Sequence, residues 1–148
     1  MIKVLGQFIF PTVIVSIVGF GFWLAYEPWL KLSKVFGSKL SPPKAFLKEQ
    51  TCILNRAYLK GCINVGITEQ KLYLSHRSPL SYFLQPLLID LNAITKIELS
   101  SDPLLNRCYK FFIGSPNITT LILVQDIIEK LEEDYGEPIF FEQLDNLK

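Results

Sequence analysis

The chain has 148 residues, with 15 Lys and Arg against 14 Asp and Glu, a formal net charge of +1. That balance excludes the strongly basic surface of a nucleic-acid binder. Cys52, Cys62 and Cys108 form an odd set without C-x-x-C spacing, which excludes a disulfide framework and fits buried thiols in a reducing compartment.

The N-terminal part carries the strongest signal. From Val4 to Tyr26 there is no Asp, Glu, Lys or Arg. A helix of that length covers roughly 35 Å, enough to cross a hydrocarbon core of about 30 Å. Its thirteen large apolar residues favour insertion by about 4 to 8 kcal/mol, from which Gln7 and Pro11 subtract part. A cleaved signal peptide is the competing reading. Small residues with A-x-A spacing are needed for cleavage, but bulky Trp23 stands two positions before Ala25. The run therefore reads as a transmembrane anchor. Thr12 with Ser16, and Gly21 with Ala25, give small-x-x-x-small spacings, a feature common in membrane helices whether or not they self-associate.

The flanks orient this segment. Lys3 precedes it, whereas Lys31, Lys34, Lys39, Lys44 and Lys48 follow it. The positive-inside rule puts residues 27–148 in the cytoplasm and the N-terminus on the other side. Aromatic residues crowd the inner end, which marks Trp23, Tyr26 and Trp29 as membrane-interface residues.

Proline at position 28 pushes Glu27 out of the helical region, so the first helix is expected to stop there. Trp29, Leu32, Ser33 and Phe36 then share one side of a short amphipathic helix, with Lys31 and Lys34 directed away. That helix either lies on the bilayer or packs on the following domain as a connector. Gly37 to Pro43 reads as a linker. The expected divisions are an anchor over 1–27, a juxtamembrane helix and linker over 28–48, a domain over 49–141, and a tail over 142–148.

Short apolar runs separated by turn signals follow, the pattern of an antiparallel sheet folded on itself. Strands are expected at Thr51–Asn55, Ile63–Thr68, Lys71–Ser75, Pro86–Asp90, Ile94–Ser100, Cys108–Ile113 and Thr119–Val124. Gly61 marks a loop between the first two, and Thr68-Glu69-Gln70 a tight turn. Ser78–Gln85 is expected to be irregular, with His76 in an exposed loop beginning at Ser75. Gly114-Ser115-Pro116-Asn117 is a turn. The sequon Asn117-Ile118-Thr119 sits at a turn-to-strand junction and matters for glycosylation only outside the cytoplasm. Val124, Ile127, Ile128, Leu131 and Tyr135 line one face of a helix over Gln125–Tyr135, ended by Gly136 and Pro138. The expected fold is thus an N-terminal transmembrane helix plus a mainly β domain, a small barrel or sandwich capped by a C-terminal helix.

That order of elements resembles the pleckstrin-homology-like superfold, including its GRAM-type relatives, in which a seven-stranded, partly open barrel is capped by a C-terminal helix. At the residue level, Leu72-Tyr73-Leu74-Ser75, then Pro86-Leu87-Leu88-Ile89 and Ile94, look like small uncharacterised bacterial proteins carrying G-L-Y-L-S, H-P-P-L-L-I-P-W and a following isoleucine. Trp29, Leu32 and Phe36 resemble their upstream tryptophan-leucine-aromatic segment. The likeness extends over most of the soluble part. This chain departs from it with Lys71 for the glycine, Gln85 before a single proline, and Asp90-Leu91 for proline-tryptophan. In phosphoinositide-binding members of the superfold, basic residues near the first hairpin loop grip headgroup phosphates, and Arg56 and Lys60 are the matching residues here.

The chain offers little catalytic chemistry. Its one histidine, His76, lacks a nearby cysteine in sequence, and the three cysteines lack the close pairing of a zinc knuckle. Glu132, Glu133 and Asp134 are adjacent, so they diverge around a helix and read as a solvated face. Isolated glycines and the absence of G-x-x-x-x-G-K-[ST] give no phosphate loop. No catalytic residue, cofactor or metal is expected.

Charge is unevenly distributed. Residues 27–60 carry seven Lys and Arg against two acids, and residues 126–148 carry eight acids against two lysines. An anionic cytoplasmic leaflet would attract the first group and repel the second. Lys31, Lys34, Lys39, Arg56 and Lys60 are therefore the candidate lipid-binding residues. Taken together, the sequence points to a single-pass, cytoplasm-facing accessory module that binds a protein partner at the bilayer. An anionic-lipid-sensing domain is the alternative, and an enzyme with an atypical site is a second one.

Overall fold

A computed structural model of the chain describes residues 2–138 and 140. Its first element, α1, is one helix from Ile2 to Phe36. The stretch from Gly6 to Phe36 is long and apolar enough to cross a membrane, and its most apolar window is not buried against the rest of the chain. Thr12 Oγ1 donates to the Phe8 carbonyl at 2.7 Å and Ser16 Oγ to the Thr12 carbonyl at 2.8 Å. Both hydroxyls are thereby satisfied within the helix, so neither needs a partner from outside it.

The expected stop at Glu27-Pro28 does not occur, because both Pro11 and Pro28 lie inside α1. A helix proline removes one backbone bond. Here the turns beyond Pro28 are held from outside: Trp29 and Leu32 are 1% and 0% exposed in the core. Tertiary packing thus outweighs the local signal, and of the two roles open to this segment the helix takes that of a connector packed on the domain.

Seven strands follow: β1 Ala45–Leu54, β2 Ala57–Thr68, β3 Lys71–His76, β4 Leu87–Asp90, β5 Ile94–Asp102, β6 Asn106–Ile113 and β7 Thr119–Val124. They form one curled antiparallel sheet in the order β4-β3-β2-β1-β7-β6-β5. The first strand pairs with β2 along most of its length and with β7 through Cys52, Ile53 and Leu54. It therefore joins the two halves of the sheet.

Turn chemistry fixes the registers. Asn55 adopts φ 56° in the two-residue turn before Ala57, and Glu69 and Gln70 adopt φ 41° and 62° between Thr68 and Lys71. At Glu69-Gln70, positive φ at both central positions matches the twist of a tight hairpin. Gly61 is not in a loop, as its position suggested; it lies within β2 at φ 61°, beside a register shift that bends the β1–β2 pair. The Asp102 carboxylate accepts from the Leu104 and Leu105 amides at 2.8 and 3.3 Å and closes the β5–β6 turn.

The second helix, α2, spans Gln125–Tyr135 as expected and packs on β1, β2, β6 and β7. Ile127, Ile128 and Leu131 enter the core, and Gly136 ends the helix at φ 87° in the left-handed region. Glu132 departs from the expected solvated face. It is buried, and its carboxylate accepts from the Phe140 amide at 2.7 Å. The expected tail over 142–148 lies outside the described residues.

Inward residues of both sheet halves, including Leu54, Ile63, Leu74, Phe111 and Leu123, share one core with Trp29, Leu32 and the inner face of α2. The end of α1 belongs to the domain's interior.

Candidate functional site

Residues marked from the sequence as interfacial or polar meet where α1 joins the sheet. Leu24 is still half exposed, Ala25 and Tyr26 are partly covered, and Pro28 and Trp29 are buried. This gradient marks where the helix leaves the domain. Trp29 is therefore a core residue and not a membrane-interface residue; its indole donates Nε1–H to the Gln85 carbonyl at 3.0 Å. A tryptophan accepted into a core needs such a partner. Trp23, at 50% exposure, remains available to an interface.

His76 is also placed differently from expectation. It is the last residue of β3, 2% exposed, with its ring 4.2 Å from that of Trp29 and 5.2 Å from that of Tyr26. Neither ring nitrogen has a hydrogen-bond partner among the described residues. Burial lowers its pKa from 6.5 to about 4, so the imidazole is neutral at physiological pH. Its role here is packing between two aromatic rings.

The candidate basic residues are carried by α1 and the segment after it, and by the β1–β2 hairpin. Lys31 is paired with Glu27 at 3.0 Å, and Lys34 and Lys39 are exposed along and beyond the end of α1. Arg56 is exposed in the β1–β2 turn, which is tied to β7 by the Asn55 amide and Thr120 carbonyl at 2.7 Å. Lys60 is exposed within β2 and not in the turn. A further cation, Arg77, is held by Glu49 at 3.2 Å.

The cysteines are likewise apart from His76 in role. Cys52 and Cys108 are buried, Cys62 is partly exposed, and all are free thiols. Burial raises the pKa of each, which disfavours the reactive thiolate. Among the described residues no three of His, Cys, Asp and Glu converge on a metal position.

Two surface features had little signal in the sequence. The outer edge of β5 is unpaired by any strand among the described residues, with Leu99 68% exposed beside it. In the loop between β3 and β4, Tyr82 and Phe83 are each 82% exposed. Adjacent aromatics in a proline-bounded polar loop were the available clue to the second.

Compared with protein-family models, curated proteins and solved structures, the chain finds no match in any of the three.

Proposed function

We propose that this chain is a membrane-anchored, non-catalytic recognition module with a pleckstrin-homology-like domain, which presents the free edge of β5 to a protein partner at the cytoplasmic face. Seven antiparallel strands followed by a packed helix agree with the layout that the resemblance implies. The lysines after the span favour the cytoplasmic orientation.

The observation that carries the reading is the contrast between the sheet's two edges. On the β4 side, Gly37 bridges Leu87 and the Ser38 amide donates to the Pro86 carbonyl at 2.8 Å, so the chain following α1 covers part of that edge. On the β5 side the nine-residue strand Ile94–Asp102 is open among the described residues. An open edge offers backbone donors and acceptors to an added strand. Lys96 and Glu98 pair with each other beside it, which restrains indiscriminate pairing and gives a partner charges to match.

Site-specific photo-crosslinking tests this. A photoreactive residue at Leu99, in the intact protein in its native membrane, is expected to give a discrete protein adduct that the same group at Glu133 does not. Lipid adducts alone at Leu99, or the same adducts from both positions, would reject the reading.

A further inference from the structure

We propose that the β3–β4 loop is a second membrane contact, in which Tyr82 and Phe83 enter the headgroup–acyl boundary of the bilayer that α1 crosses. This rests on the reading of α1 as a transmembrane anchor.

The direction of the strands places the loop. Gly37, just past the end of α1, bridges Leu87, and Leu87 pairs with Leu74. Two residues farther along β3, His76 touches Trp29 and Tyr26, which lie about 12 and 16 Å back along the helix from Gly37. From Leu74 to His76 the chain thus travels toward the N-terminal, apolar part of α1. The loop that follows emerges at the span-facing end of the domain. Its return is fastened there too, since the Gln85 carbonyl accepts from Trp29. Trp29 is only about 9 Å along the axis from Trp23, where the helix is half exposed.

The loop is built to present the two rings. Leu84 is buried and Leu80 packs against the core, which fixes its base. The Tyr82 amide donates to the Pro79 carbonyl at 3.1 Å, the Phe83 amide to Leu80 at 3.0 Å, and the Leu84 amide to Leu80 at 2.9 Å. A turn already closed by its own bonds leaves little backbone freedom to lose on docking. Between partly buried Leu80 and buried Leu84, Tyr82 and Phe83 stand 82% exposed, although packing on the domain would remove them from water. An apolar ring and a ring with a polar tip suit the interface, where one side is wet and the other is hydrocarbon. Continuity with the point where α1 leaves the domain selects the bilayer as the occupant.

Nitroxide depth measurements on the full chain in protein-free liposomes test the proposal. In a Cys62→Ser background, Phe83→Cys, Tyr82→Cys, Val15→Cys and Leu104→Cys would each be spin-labelled singly. Labels at 83 and 82 are expected to collide several-fold more with oxygen, relative to an aqueous nickel chelate, than the label at 104. The label at 15 should be the deepest. An embedded label at 15 with aqueous labels at 82 and 83 would overturn the loop contact and leave the anchor standing. An aqueous label at 15 would overturn both. Spin–spin broadening at 83, marking contact between copies, would also overturn the proposal.

Discussion

The rings of Trp29 and His76 lie with centroids 4.2 Å apart, at 60° to one another, and this contact fastens α1 to the end of β3. Forty-seven positions separate the two residues in sequence. Their contact makes the apolar helix and the sheet parts of one packed unit, so the helix cannot turn freely relative to the sheet.

Removing Trp29 should therefore unsettle the domain itself. Trp29→Ala leaves a cavity beside Leu32 and His76 and is expected to cost about 3–5 kcal/mol. Trp29→Phe keeps most of the apolar volume but leaves the Gln85 carbonyl without its donor, at about 1–2 kcal/mol. Denaturant titration of the full chain in detergent measures both. An alanine variant as stable as the parent would show that α1 does not pack here.

His76 gives a pH dependence with a definite sign. Its folded pKa is lowered by burial to about 4, below the ordinary 6.5. Between those values the unfolded chain binds more protons, so stability from the neutral ring is complete above about pH 6.5 and falls as the pH drops toward 4. At about 1.4 kcal/mol per unit, the loss is on the order of 2–3 kcal/mol. His76→Phe should flatten the stability curve in this window, and the difference between the two curves removes the carboxylates' contribution. Parallel curves would contradict the neutral, buried state.

Domain boundaries supply the next test. Residues 38–148 contain every strand among the described residues but lack Trp29 and Leu32, which are 1% and 0% exposed in the core. A fragment starting at 25 is expected to fold cooperatively, whereas one starting at 38 should melt far lower or remain molten, as read by near-ultraviolet circular dichroism. Equal melting of the two would separate α1 from the core.

Much of the sheet was legible because its signals are local. Thr119–Val124 alternates, Glu69-Gln70 and Gly136 punctuate, and the inward face of Gln125–Tyr135 repeats at helical spacing; the structure places all of these where the pattern does. What escaped depends on contacts distant in sequence. Pro28 reads as a stop until Trp29 and Leu32 are seen to be held by the core, and His76 reads as exposed until rings from α1 cover it. The first part of β1 was hidden for another reason. Lys48 and Glu49 interrupt its alternation, and Glu49 takes φ 57° at an irregularity in the pairing with β2. Of the candidate site, Trp23 kept its exposure, while Trp29 became core and Lys60 moved from the expected loop into β2.

Gly66 should tolerate no side chain. A β-carbon there would lie 2.6 Å from Pro43 Cγ and 2.8 Å from the Ala45 carbonyl oxygen, where β2 pairs with the start of β1. The backbone oxygen cannot rotate aside, so Gly66→Ala is expected to cost about 1–3 kcal/mol. Gly19→Ala, with nothing within 4 Å, is the neutral control. A neutral Gly66→Ala variant would mean that β1 and β2 do not approach in this register.

Thiol labelling then reads the fold from three native positions. Burial raises the pKa of all three cysteines, but Arg77 opposes the rise at Cys62, which is also partly exposed. Alkylation depends on thiolate fraction and access together. Cys62 is therefore expected to react first at pH 8, while Cys52 and Cys108, 1% and 0% exposed, wait for the opening of β1 and β6. Mass spectrometry of peptides after timed iodoacetamide treatment resolves the order. Arg77→Gln should slow Cys62 by removing the charge that favours its thiolate, with Cys52 and Cys108 unchanged. Rapid labelling of Cys52 in the native chain would instead place the β1–β7 seam in contact with solvent.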